Sequence, residues 1–179
     1  KIKEKNIRVI SIETDMSKGD DCKNLIKKTI AEFGRIDVLI NNAGISMRAL
    51  FNETDLEMIK TVMNTNFWGT VCCTKYALPY LLKSKGSLVG VSSIAGHIGL
   101  PERSAYSASK FAINGFLESI RNENLENDLH VLIACPGFTA SNIRKSALTK
   151  DGTQQAESPR NELKMMTAKM VAERIICAI

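Results

Sequence analysis

The sequence predicts an α/β fold built on a doubly wound parallel sheet. Short β-branched runs alternate with helical stretches of ten residues or more, a spacing typical of right-handed βαβ crossovers. The predicted strands are also nearly continuous apolar runs, as expected where helices cover both faces of a sheet. Because no repeat or linker interrupts the 179 residues, we expect a single domain over 1–179.

Four strands and four helical regions are predicted in alternating order. Gly34 stands directly after the first helix, where a residue in the left-handed conformation commonly ends a helix. A polar, irregular stretch is expected over 139–161. The predicted strands are 7–12, 36–40, 87–91 and 129–134, and the predicted helices are 21–33, about 56–83, 105–124 and 165–179.

Composition and charge exclude several classes of protein. No apolar run approaches the roughly 18 residues that a membrane span needs. Five cysteines without a C-x-x-C pair favour a reduced, cytoplasmic setting over a disulfide scaffold, and no His, Cys and Asp spacing indicates a metal site. The net charge is +5, but basic and acidic residues are interspersed, which favours a solvated surface. We therefore expect neither a nucleic-acid partner nor a membrane partner.

Polar and small residues follow the predicted strands. In parallel α/β sheets, ligands bind beyond the carboxyl ends of the strands. The residues found there are Asp15, the Asn-Asn-Ala-Gly run at 41–44, the two serines at 92–93 and the segment 136–139. We expect these four places to contribute to one binding site.

Tyr106 and Lys110 form the strongest candidate site. Their i, i+4 spacing at the start of a helix puts the phenol and the ammonium on one face, one turn apart. A proton shuttle working near neutral pH needs the pKa of a phenol lowered by about 3 units, which corresponds to roughly 4 kcal/mol. An adjacent cation in a partly dry site provides an effect of that size. Taken alone, however, the pair arises by chance in many helices.

Three further features give this pair its context. Ser93 ends a strand 13 residues before Tyr106, Asn66 lies in MNTNFWG on the long helix, and the 41–44 run ends the strand before it. With these residues in this order, the sequence resembles the short-chain dehydrogenase/reductase family over essentially its whole length. Segment 92–116 is similar to the hydroxysteroid-dehydrogenase-like and 3-oxoacyl-reductase-like branches of that family.

The resemblance implies an oxidoreductase that transfers a hydride between a nicotinamide cofactor and a carbonyl/alcohol substrate. Tyr106 matches the family's general acid/base, and Ser93 matches the residue that holds the substrate oxygen. Lys110 would lower the pKa of Tyr106 and hydrogen-bond the nicotinamide ribose. Asn66 would bind a water that links Lys110 to solvent as a proton relay.

The resemblance also implies NAD or NADP as the cofactor, with NADP slightly favoured. Asp15 and the backbone at Met16 would meet the adenine, and the 42–44 segment would pass close to the adenosine ribose, where a small side chain is needed. Thr139 falls where the family's backbone contacts the nicotinamide carboxamide. The matching cofactor-binding positions are Asp15, Met16, Asn42, Ala43, Gly44, Tyr106, Lys110, Pro136, Gly137 and Thr139.

One departure from the family pattern is large. The Gly-rich turn that cradles the cofactor pyrophosphate is absent from these residues, and so is the strand whose end distinguishes NAD from NADP. In a sheet of order 3-2-1-4-5-6, the strands at 7–12 and 36–40 would be the third and fourth, which are not neighbours. We therefore expect an incomplete Rossmann-type sheet that lacks its first two strands, with about 50 further residues before Lys1 in the whole protein.

Several candidate residues have structural alternatives. Asn41 is expected to tie neighbouring backbones together, and Asp15 could cap the following helix instead of binding a ligand. Ser92 is expected to be structural because the spacing to Tyr106 selects Ser93, whereas His97 either lines the substrate cleft or packs elsewhere. The 141–165 loop is basic, which suggests either an anionic substrate or charges that face solvent, and we expect the second. Its basic residues are Arg144, Lys145, Lys150 and Arg160.

Two other functions stay open, namely a catalytically silent cofactor-binding sensor or partner module and an epimerase or dehydratase relative. A silent relative has no physical need for Ser93, Tyr106, Lys110 and Asn66 together, and the 41–44 run and Asn66 disfavour an epimerase or dehydratase. The two long helices carry apolar side chains such as Phe111 and Leu117. We expect these helices to pair with their copies in a homodimer or homotetramer.

Overall fold

A three-stranded parallel sheet forms the centre of the protein. The computed structural model describes residues 7–156, 161 and 164–179. Strands β1 (Val38–Asn41), β2 (Ser87–Val91) and β3 (His130–Ala134) pair in the order β1-β2-β3. Asn41 pairs with Gly90, and Val91 pairs with Ala134, so the three strands end at the same edge of the sheet.

Five α-helices accompany the sheet in the described part of the chain. They are α1 (Gly19–Phe33), α2 (Leu56–Met63), α3 (Gly69–Ser84), α4 (Ser104–Glu123) and α5 (Ala168–Ile176). The predicted end of the first helix is confirmed, because Gly34 has a φ of 76° and its N–H donates to the carbonyl of Ile30. The alternation of strands and helices agrees with the predicted fold class.

The β2 strand is covered on both faces, as its apolar sequence predicts. Leu88 and Val89 point to opposite faces and both are fully buried. The α4 helix packs closely on this strand at Gly90, where a Cβ atom would lie 2.1 Å from Cδ1 of Leu117. Leu117 is therefore fully buried inside the chain, and the prediction that it contributes to a surface between copies is wrong.

The predicted strand over 7–12 is absent, and this prediction is wrong. Residues 7–15 are irregular, and Ile7 and Val9 are about half exposed. The segment contacts the end of α1 instead of the sheet, since Arg8 donates to Glu32 and its guanidinium lies over the Phe33 ring. A β-strand forms only where a neighbour exchanges backbone hydrogen bonds with it, and residues 7–12 pair with no described strand.

β1 also departs from the prediction. It begins at Val38 instead of Ile36, and it ends one residue later than expected. Val38 and Ile40 are 42% and 45% exposed because no described element covers their side of the strand. The apolar run therefore predicted the β1 strand correctly, but the expectation that both of its faces are buried is wrong.

The long helix predicted over 56–83 is interrupted. A π-helical turn at Asn64–Trp68 separates α2 from α3, and the side chain of Asp55 caps α2 by accepting from Glu57 N. π-turns within helices are common at functional sites. This one carries Asn66 to a fully buried position.

The carboxyl-terminal helix is shorter than predicted. A two-stranded parallel sheet joins β4 (Thr139–Ala140) to β5 (Met166–Thr167), and α5 begins only after it, capped by the side chain of Thr167. The irregular stretch predicted over 139–161 is otherwise confirmed across its described residues. No helix in the ranges described above is long and apolar enough to cross a membrane.

Candidate active site

A cavity of about 980 Å³ opens beyond the carboxyl ends of the three strands. Its walls come from the loops after β1, β2 and β3, the first turns of α4 and one side of α5. The sequence-predicted residues that line it are Asn42, Gly44, Ser93, Tyr106, Lys110, Pro136, Gly137 and Thr139. Four predicted site residues do not line this cavity, namely Asp15, Met16, Ala43 and Asn66.

Tyr106 lies in the first turn of α4 and faces Ser93 across the cavity. Burial raises the pKa of the Tyr106 phenol above its ordinary value, while the nearby Ser93 side chain and the charge of Arg103 act in the opposite direction. The sequence predicts a lowered pKa through Lys110, and in this structure the direction is the reverse. The reason is that removing the phenolate from water outweighs the nearby favourable groups.

Lys110 is held one turn further along α4. Only 4% of the residue is exposed, and its Nζ donates to the carbonyl oxygen of Val91 at 2.8 Å. Burial is also the main cause that lowers the pKa of Lys110 from 10.5 to about 8. The ammonium is therefore poised to exchange a proton not far from neutral pH.

Asn66 positions the loop after β1 from beneath the cavity. Its Oδ1 accepts from Ile45 N at 2.8 Å, and its Nδ2 donates to Ile45 O at 2.9 Å and to Ser109 Oγ at 3.0 Å. Ser109 Oγ in turn donates to the Tyr106 carbonyl at 2.8 Å, which links this loop to α4. The predicted water relay at Asn66 stays a prediction, and the observed bonds give it a positioning role.

Gly44 allows the backbone of this loop to pass close to the lysine. A Cβ atom at Gly44 would lie 3.2 Å from Asn66 Oδ1 and 3.7 Å from Lys110 Nζ. The neighbouring Asn42 and Ala43 are exposed. Asn41 is buried and donates to Thr74 Oγ1 at 3.1 Å, so it has a structural role, but it ties β1 to a side chain of α3 and not to a neighbouring backbone.

Asp15 and Met16 lie outside the cavity, on the segment that leads into α1. Asp15 accepts from Ser17 N at 3.0 Å and from Ser17 Oγ at 2.7 Å, and these bonds lower the pKa of its carboxyl. The capping alternative for Asp15 is wrong, because Lys18 is the N-cap of α1 and the Asp15 carboxylate accepts from Ser17, which precedes the helix. Gly69 lets α3 approach this segment, since a Cβ there would lie 2.8 Å from Met16 O.

The residues around Ser93 separate into structural and cavity-lining groups. Ser92 is buried and donates to the Lys110 carbonyl at 3.4 Å, in agreement with its predicted structural role. His97 does not line the cavity, and its Nε2 lies 3.3 Å from Cys135 Sγ and 3.4 Å from Asn114 Nδ2. The alternative in which His97 lines the substrate cleft is therefore wrong.

Sequence reasoning missed an arginine-rich part of the cavity. Arg48, Arg103 and Arg144 all line it, together with the carboxylate of Glu102. Arg144 is only 9% exposed, so the expectation that it faces solvent is wrong. The i, i+3 spacing of Arg103 and Tyr106 was the available signal, because residues three apart share one helix face.

The fold and the cavity define a parallel α/β domain with a serine and a tyrosine–lysine pair at the carboxyl ends of its strands. A family model described as short chain dehydrogenase matches residues 1–152. The chain belongs to the short-chain dehydrogenase family, which confirms the resemblance seen in its motifs.

Curated relatives agree with this membership. The chain is 43% identical over 136 residues to 11-beta-hydroxysteroid dehydrogenase 1A of Arabidopsis thaliana, covering 75% of this chain and 39% of that protein. It is 36% identical over 172 residues to dehydrogenase/reductase SDR family protein 7-like of Dictyostelium discoideum, covering 95% of this chain and 53% of that protein. The chain thus spans about half, or less, of the length of these relatives.

Solved structures share the fold. An alcohol dehydrogenase from the archaeon Thermococcus sibiricus, complexed with 5-hydroxy-NADP, superposes with a TM-score of 0.84 at 20% identity, covering 98% of this chain and 70% of that one. A short-chain dehydrogenase from Streptomyces avermitilis gives a TM-score of 0.76 at 28% identity, covering 88% of this chain and 58% of that one. These likenesses confirm the predicted α/β class with a doubly wound parallel sheet.

Proposed function

We propose that the protein is an NAD(P)-dependent oxidoreductase that interconverts a carbonyl and an alcohol. The observation that carries this proposal is that Ser93, Tyr106 and Lys110 line one cavity at the strand ends, where the Ser93 side chain acts to lower the pKa of Tyr106. Two hydroxyl groups that line one cavity in this way can both bind one substrate oxygen. The curated relatives are named as dehydrogenases and support the same reaction class.

Tyr106 acts as the general acid during reduction and as the general base during oxidation. Its proton passes to or from the substrate oxygen, which Ser93 holds by a second hydrogen bond. Because burial raises the pKa of Tyr106, the phenol starts protonated, which suits it to donate in the reductive direction. The positive charges of Lys110 and Arg103 stabilise the phenolate that forms when the proton leaves.

The residues around Lys110 fit a nicotinamide nucleoside. Lys110 donates one N–H group to Val91 O, and an ammonium has three, so donors remain for the hydroxyl groups of a ribose. Gly44 has no side chain to fill the space beside Lys110 Nζ, and the surroundings of Gly137 are open. Both features leave room for a flat ring and a sugar. When bound, the cofactor supplies or accepts the hydride.

We propose the cofactor contacts residue by residue. Lys110 and Tyr106 hold the nicotinamide ribose, and the backbone near Thr139 contacts the carboxamide, with Pro136 and Gly137 forming the turn before it. The exposed segment 42–44 lies along the adenosine ribose, and Asp15 with the Met16 backbone meets the adenine. Either NAD or NADP is consistent with these contacts, and NADP is the slightly favoured choice.

Three wider features belong to the same proposal. The chain acts as a single cofactor-binding domain of the Rossmann type. The enzyme works as a homodimer or homotetramer, supported by the exposed aromatic rings of Trp68 and Phe111. A cytoplasmic location is supported by the five cysteines, all of which carry free thiols.

The test measures hydride transfer by the intact protein. NADH and NADPH absorbance is followed with a panel of ketones and aldehydes, in wild type and in two adjacent serine variants. Ser93→Ala should lose about a hundredfold or more in kcat, because it removes a donor to the substrate oxygen. Ser92→Ala, which loses only a bond to the Lys110 carbonyl, should stay within about tenfold of wild type.

Two outcomes contradict the proposal. Equal losses in Ser92→Ala and Ser93→Ala would remove the hydroxyl of Ser93 from the reaction. Tight cofactor binding without turnover of any carbonyl would favour the silent sensor or partner module instead.

A further inference from the structure

One wall of the cavity carries three arginine side chains. This arginine wall consists of Arg48, Arg103 and Arg144, and it lines the same cavity as Tyr106. The carboxylate of Glu102 is the acidic side chain in the described lining. The described lining of this wall thus holds three guanidinium groups and one carboxylate.

Arg103 is the member closest to the reacting groups. It directly precedes α4 and is three residues before Tyr106, and its charge acts on the phenol. Its Nη1 donates to Ser46 Oγ at 2.9 Å and to the Met47 carbonyl, which fixes the guanidinium against the loop after β1. No carboxylate of the described residues forms a salt bridge with Arg103.

The one carboxylate of the wall is already engaged. Arg48 Nε donates to Glu102 Oε2 at 2.7 Å, and both side chains are a little over one third exposed. Glu102 holds this position with a φ of 61°, in the left-handed region that side chains rarely adopt, and its carbonyl accepts from Ala49 N. Glu102 therefore neutralises Arg48 and leaves the charge of Arg103 without a bonded counterion.

The surroundings of Arg103 disfavour its positive charge. Burial is the main cause that lowers its pKa, and the like charges of Arg48 and Arg144 add to this effect, while the charges of Tyr106 and Glu102 act in the opposite direction. A guanidinium keeps its proton in proteins, so the unfavourable burial and repulsion persist in the free enzyme. A bound carboxylate or phosphate would offset both costs by a bidentate, charge-assisted hydrogen bond.

We infer that the substrate carries a carboxylate or phosphate group that binds Arg103 while its carbonyl oxygen binds Tyr106 and Ser93. The inference rests on the proposed function, and it deepens that function by naming the substrate class. Arg103 immediately precedes the first turn of α4, which carries Tyr106, and this placement favours the substrate over the cofactor pyrophosphate as the source of the anion. A neutral ketone such as a steroid would leave Arg103 uncompensated.

The experiment compares matched anionic and neutral substrates in the intact protein. The probes are short straight-chain oxo acids with their methyl esters, and dihydroxyacetone phosphate with dihydroxyacetone. The variants are Arg103→Gln, Arg103→Lys and the control Lys145→Gln, which removes an exposed charge beside Arg144 that does not line the cavity. For each pair we measure kcat, KM and the Kd of the cofactor.

We expect wild type to prefer the anionic member of at least one pair by about tenfold to hundredfold in kcat/KM. Arg103→Gln should lower kcat for both members of a pair, because its charge no longer stabilises the phenolate, and it should abolish the preference between them. Arg103→Lys should keep part of that preference, and Lys145→Gln should keep all of it. Equal use of charged and neutral probes by wild type would overturn the inference. So would a rise in cofactor Kd for Arg103→Gln without a change in substrate KM, because the anion would then belong to the cofactor.

Two further readouts separate this inference from the proposed function. If Arg103→Gln does not fold, inorganic phosphate should inhibit wild type competitively against a neutral ketone and not against the cofactor, and the absence of that competition overturns the anion site. If no probe is turned over, the proposed function fails. The anion site then stands only if phosphate raises the Tm of wild type and not that of folded Arg103→Gln.

Discussion

The ammonium nitrogen of Lys110 lies 5.7 Å from the centre of the Tyr106 ring. The lysine reaches this position because its Nζ donates to Val91 O at the end of β2, while its backbone belongs to α4. Helix and sheet thus fix the two groups independently of any bond between them. This arrangement lets Tyr106 gain or lose a proton without moving Lys110.

The first prediction concerns the phenol of Tyr106. Tyr106→Phe should lower kcat by about 10² to 10⁴-fold, because only the acid/base group is lost while the ring still packs. Cofactor Kd, measured by fluorescence titration, should stay within a few-fold of wild type. Tyr80→Phe is the matched control, since Tyr80 is 37% exposed on α3 and does not line the cavity. Activity of Tyr106→Phe above about a tenth of wild type would remove Tyr106 from the mechanism.

The second prediction is a pH dependence of stability caused by Lys110. Burial lowers its pKa from 10.5 to about 8, so between these values the unfolded chain binds more protons than the folded chain. Stability therefore rises with pH across that window. From about pH 8 to about pH 9.5, the free energy of unfolding of wild type should increase by about 2 kcal/mol relative to Lys110→Met. Denaturant unfolding at the two pH values measures this difference.

The comparison with Lys110→Met isolates the lysine from other groups. Burial raises the pKa of Tyr106 and raises that of Cys73 to about 12, so both reduce stability as the pH rises through their titration ranges. Both groups are present in wild type and variant, and their contribution cancels in the difference. A difference that does not change with pH would show that Lys110 titrates at its ordinary value.

The third prediction concerns the buried amide of Asn66. Asn66→Asp removes the Nδ2 donor from Ile45 O and Ser109 Oγ and places a carboxyl where no solvent reaches. We expect a loss of about 2 to 4 kcal/mol in the free energy of unfolding. Asn64→Asp makes the same chemical change at an exposed position of the same π-helical turn and should be nearly neutral. Equal Tm values for the two variants would refute the positioning role of Asn66.

The fourth prediction concerns assembly. Phe111 on α4 is 47% exposed, and Trp68 in the π-helical turn is 52% exposed, so both rings are available to a second copy. Phe111→Glu should shift the intact protein from a dimer or tetramer to smaller species in light scattering at micromolar concentration. Leu125→Glu changes a side chain that is 72% exposed beyond the end of α4 and should leave the mass unchanged. A monomeric wild type would contradict the prediction outright.

Local patterns in the sequence were enough to predict the sheet and its principal helices. β2 matches its predicted bounds, β3 matches within one residue, and Gly34 ends α1 as expected. These elements are specified by contiguous residues, since apolar runs, helical periodicity and caps act over a few positions. The prediction for 7–12 was wrong because a strand also needs a neighbour, and a single run of sequence does not reveal which neighbour is present.

The sequence by itself determined the family and predicted that Ser93, Tyr106 and Lys110 share one site, because the motifs that they belong to are short and contiguous. Only the tertiary structure decided the electrostatics around them. The pKa of Tyr106 is raised and Arg144 is buried, against what the sequence predicted. Arg103 meets Ser46 across 57 residues of chain. Burial and long-range contacts set the energy of a charge, and both depend on segments that meet only after folding.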